Sequence, residues 1–320
     1  MSFEEVRGQQ EAAAFVRNAV KRNRLSHAYI FAGPAGCGRS LLAKNFAKAL
    51  NCFAFDSEPC ERCISCRKIN SDTHPDVRWV QRSGESMQIK IQQMRHLECQ
   101  IALKPFEGRY KVWIIKDAEY MTQEAANSFL KTLEEPPPYS LFILTVERPK
   151  DLLPTIMSRC QIIRLKPLDI EALTSILVNE HGYDRQDAEV VARYAEGKLG
   201  KALQFDRDAI EWKNSVIEEL SDDECAQNYT GADRAELSQK LCVLIGWYRD
   251  ALLYKTTADT GLLINRDRIE DVVDIASAHT TEALLRMFEN VIRAKQQIES
   301  NVNPKLALSN MDRGVYRCTK

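Results

Sequence analysis

The run "HAYIFAGPAGCGRSLLAKNF", residues 27–46, decides the fold. It opens with five β-rich, mostly apolar residues and passes through a glycine loop. A helical stripe then runs from Leu42 and Phe46 through Ala49, Leu50 and Phe53. Strand, glycine loop and helix in that order make a phosphate-binding turn: glycines let backbone N–H groups wrap an anion, and the helix N-terminus adds a favourable field. The loop "GPAGCGRS" (33–40) fits G-x-x-x-x-G-K-[ST] except at Arg39, which stands where the pattern has lysine. Gly33, Gly36 and Gly38 keep the cradle, and Ser40 keeps the hydroxyl that would meet magnesium. Lysine threads a slim ammonium between the outer phosphates. Arginine is planar, broader and forked, so the exchange is not conservative.

Outward from this turn, "DVRWV" (76–80), "KVWII" (111–115), "LFILTV" (141–146) and "QIIRL" (161–165) are further short β-rich runs, with helical patterns between most of them. Strands separated by helices predict a parallel sheet covered on both faces, an α/β domain over 1–166. One helix is bounded in detail: Thr122 as N-cap, Ala126, Phe129, Leu130 and Leu133 on one face, and "PPP" (136–138) as its stop. Beyond Pro167 the strand-like runs vanish. A small helical unit is expected over 167–207 and a larger helical block over 208–320, whose clearest helix carries Leu284, Phe288, Val291, Ile292 and Ile298 on one stripe. The acidic stretch "EELSDDE" (218–224) reads as a solvated helix end and loop.

Composition bounds the function. The 320 residues, 44% hydrophobic and 28% charged, describe a soluble multidomain chain; no stretch approaches eighteen apolar residues, and no signal peptide is recognisable. A cytoplasmic location is expected, with no membrane contact. The net charge of −1 gives no global attraction to nucleic acid, and the basic run "KRNR" (21–24) reads as a solvated helix end. Ten cysteines without a leader point to free thiols or metal ligands rather than disulfides. Cys52, Cys60, Cys63 and Cys66, spaced C-x7-C-x2-C-x2-C, can close a tetrahedral thiolate shell. A structural zinc is the expected occupant, an iron–sulfur cluster or four free thiols the alternatives. Cys37, Cys99, Cys160, Cys225, Cys242 and Cys318 lack such grouping, and packing is their expected role.

The second half of a nucleotide-hydrolysing site is an apolar strand ending in Asp-Glu, which holds magnesium and orients the attacking water. Here "VWII" is followed by Lys116 and Asp117, so a cation stands where the metal-holding carboxylate belongs and would repel or replace the metal. A shifted register, with Asp117 on the metal and Glu119 as base, is the alternative. His27, at the start of the first strand, reads as a turn residue rather than a catalyst. Glu134 and Glu135 close a helix against its dipole, which argues for a local partner that the sequence does not name. Arg159, in Ser158-Arg159-Cys160, either pairs with a carboxylate nearby or serves as a fixed cation for a phosphate; the residues alone leave both open.

"RLSHAYIFAGPAGCGRS", the four-cysteine insertion, "MTQEAANSFLKTLEEPPPYSLFIL" and "LLPTIMSRCQIIRL" resemble the AAA+ clamp-loader subunits of bacterial DNA polymerase III, in order over most of residues 1–165. The resemblance implies a RecA-like domain carrying a zinc module, a helical lid and an all-helical collar. It also implies a five-subunit ring with motor (gamma/tau) and delta subunits, acting at the replisome to load a sliding clamp on primed DNA. In motors the lid supplies an arginine where "GKLGKAL" (197–203) has Gly200. A later strand of the motor senses the γ-phosphate through a small polar residue where this chain offers Val146 and Glu147. Gln9 falls in the stretch that borders the base pocket in relatives, and "ESNVNPKLALSNM" (299–311) resembles a collar ending. The chain thus resembles the non-hydrolysing stator of the polymerase holoenzyme: its own ATP or ADP site altered, with Arg159 as an arginine finger acting in trans on a motor's ATP. The competing readings are an active ATPase motor and a zinc-dependent DNA-binding module.

Overall fold

The computed structural model describes residues 3–54, 58–84, 87–205, 209–221, 234–300 and 302–316. In chain order its first part comprises α1 (Gln10–Lys21), β1 (Ala28–Ala32), α2 (Arg39–Asn51), α3 (Ile64–Asn70), β2 (Val77–Val80), α4 (Ile91–Ile101), β3 (Lys111–Ile115), α5 (Gln123–Glu134), β4 (Ser140–Val146), α6 (Pro154–Met157) and β5 (Gln161–Arg164). The strands form one parallel sheet in the order β2-β3-β4-β1-β5.

Strand period and burial explain its two layers. Tyr29, Phe31, Val112, Ile114, Leu141 and Ile143 face one side, where Val16, Leu42, Phe46 and Leu50 meet them. Ala28, Ile30, Trp113, Ile115, Phe142 and Leu144 face the other, against Met94, Leu97, Phe129 and Leu133. Each of β1, β3 and β4 is buried along its whole length, which is why these strands read as continuous apolar runs rather than alternating ones. Thr122 caps α5 as expected, its hydroxyl accepting from Ala125 N at 3.2 Å. The α2 stripe holds at Leu42, Phe46, Ala49 and Leu50 but not at Phe53, which lies past the helix end and is 48% exposed.

Two compact units divide the chain: residues 1–172 with 197–201, and residues 173–196 with 202–320. The second is helical: α7 (Ile170–His181) for all but its first turn, then α8 (Arg185–Tyr194), α10 (Ala209–Ser221), α11 (Arg234–Thr257), α12 (Ile269–Ala278), α13 (Thr281–Glu299) and α14 (Pro304–Tyr316), with α9 (Leu199–Ala202) at the division. Its core gathers Leu241, Leu244 and Trp247 of α11 with Val272 of α12 and Leu284, Val291 and Ile298 of α13. Buried Asp250 closes the turn that follows α11, accepting from Ile264 N at 2.9 Å and Asn265 N at 2.7 Å. Of the acidic stretch 218–224, residues 218–221 finish α10 and 222–224 lie outside the described residues, as do Cys225 and Cys318. Among the described residues no helix is long and apolar enough to cross a membrane.

Candidate functional site

The glycine loop joins β1 to α2 as its sequence predicts. Gly38 is the N-cap of α2 at φ +91° and, as a glycine, has no side chain to cap the first-turn N–H groups, so the positive end of the helix opens onto the loop. Gly33 N donates to Val146 O at 3.1 Å, and a Cβ on Gly33 would stand 2.4 Å from Leu165 O. Gly36, at φ +85°, offers its carbonyl to Gly200 N at 2.9 Å. The two glycines lie back to back: a Cβ on Gly36 would meet Lys201 N at 3.0 Å, and one on Gly200 would meet Gly36 Cα at 3.0 Å. Gly200 therefore lays bare backbone on the loop. Beside it, burial raises the Cys37 thiol against the opposing pull of Lys198 and Arg39.

Arg39 is buried, 7% exposed, and its Nη2 lies 3.4 Å from Asp117 Oδ1. The other Asp117 oxygen faces Arg82 Nη2 at 3.6 Å, and that guanidinium stacks 4.2 Å above the Tyr120 ring. The sheet order explains the meeting. Arg39 follows β1 and Asp117 follows β3, on either side of β4, whose buried Thr145 accepts from Asp117 N at 3.0 Å. Near its C-terminal end this strand carries the polar Thr145, which is engaged by Asp117. Lys116 is exposed; with Ser40 and Trp79 it lines a cleft of about 440 Å³. The cation opposite Asp117 is Arg39, while Lys116 shares its cleft with Ser40, the residue expected to meet magnesium. Glu119 Oε1 accepts from Glu147 N at 3.1 Å, and burial raises its carboxyl above the usual range, with Arg39 opposing. Both Asp117 oxygens thus face guanidinium groups.

Arg159 stands apart from this loop, on the turn between α6 and β5. Its Nη1 donates to Thr155 O at 2.9 Å and Ser158 Oγ at 3.3 Å, and its Nη2 to Glu134 Oε1 at 2.8 Å. The side chain stays 35% exposed. Cys160 packs below it, its thiol pushed up to about 12 by burial.

The four-cysteine cluster is assembled. The Sγ atoms of Cys52, Cys60, Cys63 and Cys66 all lie within 4.8 Å of one another. Tetrahedral Zn–S bonds put sulfurs about 3.8 Å apart, so the cage fits one ion with slight contraction. Backbone N–H groups of Cys60, Cys63 and Cys66 point at the sulfurs of Cys52, Cys60 and Cys63, each at 3.4 Å. Desolvation would raise the Cys60 thiol, but N–H bonds from Arg62 and Cys63, with the neighbouring thiols, outweigh it and bring it down to about 6. Burial raises Cys52 and Cys66. Lys48 of α2, almost wholly buried, holds Glu61 at 2.5 Å and so ties the cysteine loop to the sheet domain.

The family profile described as DNA polymerase III, delta subunit, matches residues 8–169, and the profile of that subunit's C-terminal part matches residues 224–311. The chain belongs to the DNA polymerase III delta-subunit family. The DNA polymerase III subunit delta' of Bacillus subtilis is 31% identical over 89% of each chain. Subunit tau of the same organism is 27% identical over 95% of this chain, which spans 59% of tau's length. A DNA polymerase III gamma subunit-related protein of Thermotoga maritima superposes over 96% of this chain, at 17% identity and a TM-score of 0.47.

Within this family frame, the expected site residues fall into three places. Gly33, Gly36, Gly38, Arg39, Ser40 and Asp117 gather about the loop, Cys52, Cys60, Cys63 and Cys66 form the cage, and Ser158, Arg159 and Cys160 stand at the β5 entry. Gln9 is buried and bridges both main-chain groups of Lys166, its amide donating at 2.6 Å and its oxygen accepting at 3.2 Å, so both ends are engaged. His27 extends the pairing of β1 with β4, its carbonyl accepting from Phe142 N at 2.8 Å. The run 21–24 is exposed, as a solvated helix end should be. Cys99, expected to pack, is exposed on α4. Sequence reading missed Glu134 as the partner of Arg159, and also Asp76. Asp76 is 2% exposed and accepts from Phe106, Glu107 and Gly108 N, each at 2.8 Å, pinning the approach to β3.

Proposed function

We propose that this chain is a delta prime-type stator of the bacterial clamp loader, assisting ATP-dependent loading of a sliding clamp on primed DNA without hydrolysing ATP itself. The observation that carries the reading is Arg39 lying against Asp117 inside its own phosphate loop. A motor needs a free ammonium for the outer phosphates and a free carboxylate for magnesium; this loop has a buried guanidinium turned onto the Asp117 carboxylate. The Gly200 backbone on Gly36 narrows the same cradle.

Arg159, by contrast, is part-exposed at the edge of the sheet domain. Its role in this reading is to complete the site of a neighbouring motor subunit, where a fixed planar cation meets charge developing on the γ-phosphate. The partners are motor and delta subunits in a heteropentamer, with clamp and DNA reached through the assembly near the nucleoid. The helices after residue 167 act as lid (167–207) and collar (208–320). Zinc in the Cys52–Cys66 cage is structural: four thiolates complete its shell and leave no position for a reacting water. Titrating Mg-ATP into the isolated chain, followed by calorimetry and phosphate release, tests the reading. No binding up to millimolar nucleotide and no turnover are expected; binding with turnover would establish a motor instead.

A further inference from the structure

The contacts of Arg159 divide by origin. Thr155 O and Ser158 Oγ come from its own turn and hold Nη1. Nη2 is held by Glu134, twenty-five residues away at the last position of α5. A carboxylate there is opposed by the unsatisfied carbonyls of the helix end, so its placement is unfavourable without a cation beside it. Three prolines from Pro136 stop the helix at this point and fix where the carboxylate stands. The pair is open on its outer side, with Arg159 35% and Glu134 53% exposed, so an arriving anion reaches Nη2 without any repacking of the core.

We infer that Glu134 is a positioning residue that holds the Arg159 guanidinium as an ion pair, to be released only to a phosphate group presented by a neighbouring subunit. The inference rests on the in-trans finger reading. A phosphate carries more charge than a carboxylate and takes the guanidinium fork through two oxygens, so it displaces Glu134 where a weaker anion does not. With Glu134 in place, the finger is aimed and its charge is largely neutralised until nucleotide arrives. An exposed pair of this kind is a weak competitor, which sets the scale at about two- to fivefold in apparent nucleotide affinity.

The test is Glu134→Gln, which removes the charge and keeps the shape, in the assembled complex with integrity checked by gel filtration. The apparent KM for ATP at the bordering site is expected to fall about two- to fivefold with kcat little changed, and the effect to vanish in the Arg159→Ala background. A KM that stays the same or rises, while Arg159→Ala alone still depresses hydrolysis, overturns the role of Glu134 and leaves the finger standing. A fall in KM that persists without Arg159 also overturns it, because the carboxylate would then act on the nucleotide directly. If Arg159→Ala itself leaves hydrolysis untouched, the finger reading fails, and this inference with it.

Discussion

Replacing Arg159 with alanine separates a structural arginine from one that acts on a neighbour. Within this chain the side chain makes one part-exposed ion pair and two hydrogen bonds to neutral acceptors. A pair of that exposure contributes up to about 1 kcal/mol, and each neutral hydrogen bond about 1 kcal/mol before discount for solvent. The fold therefore loses about 1–2 kcal/mol, a minor part of the stability expected of a domain. In trans the scale is different. An arginine finger contributes about a thousandfold or more to phosphoryl transfer, equivalent to about 4 kcal/mol of transition-state stabilisation. Only the site that this chain borders is affected, so steady-state turnover would dilute the effect among several sites. Single-turnover hydrolysis by the reconstituted complex resolves it: one phase should slow by about a thousandfold while the others hold. The isolated variant should melt as a folded protein and enter the complex normally. Hydrolysis phases that are unchanged with the variant incorporated would refute the reasoning.

Metal analysis of the purified chain should find one zinc per molecule. Cys63→Ser should lower that content and lower the melting temperature, and a chelator should do the same to the parent; a parent without bound metal whose stability ignores the chelator would count against the cage. Asp76→Ala should cost about 3 kcal/mol, because three N–H groups lose one buried charged acceptor together, and urea unfolding measures it. The Asp76 carboxyl is raised by desolvation but lowered further by those N–H bonds, leaving it below the usual carboxylate range. Its contribution is thus fully present above the unfolded value near 3.9 and is lost as pH falls through the lower folded value. The parent's urea midpoint should drop across that acid window by more than that of Asp76→Ala; equal drops would remove the assignment.

What the sequence revealed was local. Period, apolar runs and turn residues placed all five strands, the Thr122 cap and the proline stop, because each depends on residues within a few positions. The cysteine cage was legible for the same reason, its ligands lying within fifteen residues of one another. The pairings that decide the site were not. Arg39 and Asp117 are 78 residues apart, and they meet only because β4 lies between β1 and β3 in the sheet. Lys116, by contrast, was legible from its position after the strand, and it shares a cleft with Ser40. Glu134 showed its lack of a partner through its place at a helix end, but Arg159 could be named only once α5 and α6 were seen side by side. Helix dipoles raise such questions from sequence, and tertiary packing answers them.

The glycine loop itself shows which of its residues the fold requires. A side chain on Gly33 would strike the Leu165 carbonyl, whose own N–H donates to Ala32 O at 2.7 Å and so helps seat the chain leaving β5 against β1. Gly36 needs its left-handed φ and its close approach to Gly200. Both would be required of this fold with no nucleotide anywhere near it. The position after Gly38 carries no such backbone demand: φ is ordinary there, and the side chain alone decides what the loop does. It is the place where a lysine could give way to Arg39 without loss of the turn, provided that a carboxylate such as Asp117 received the new charge. In this family member the glycines report the fold, and the stator proposal rests on the side chain that follows them.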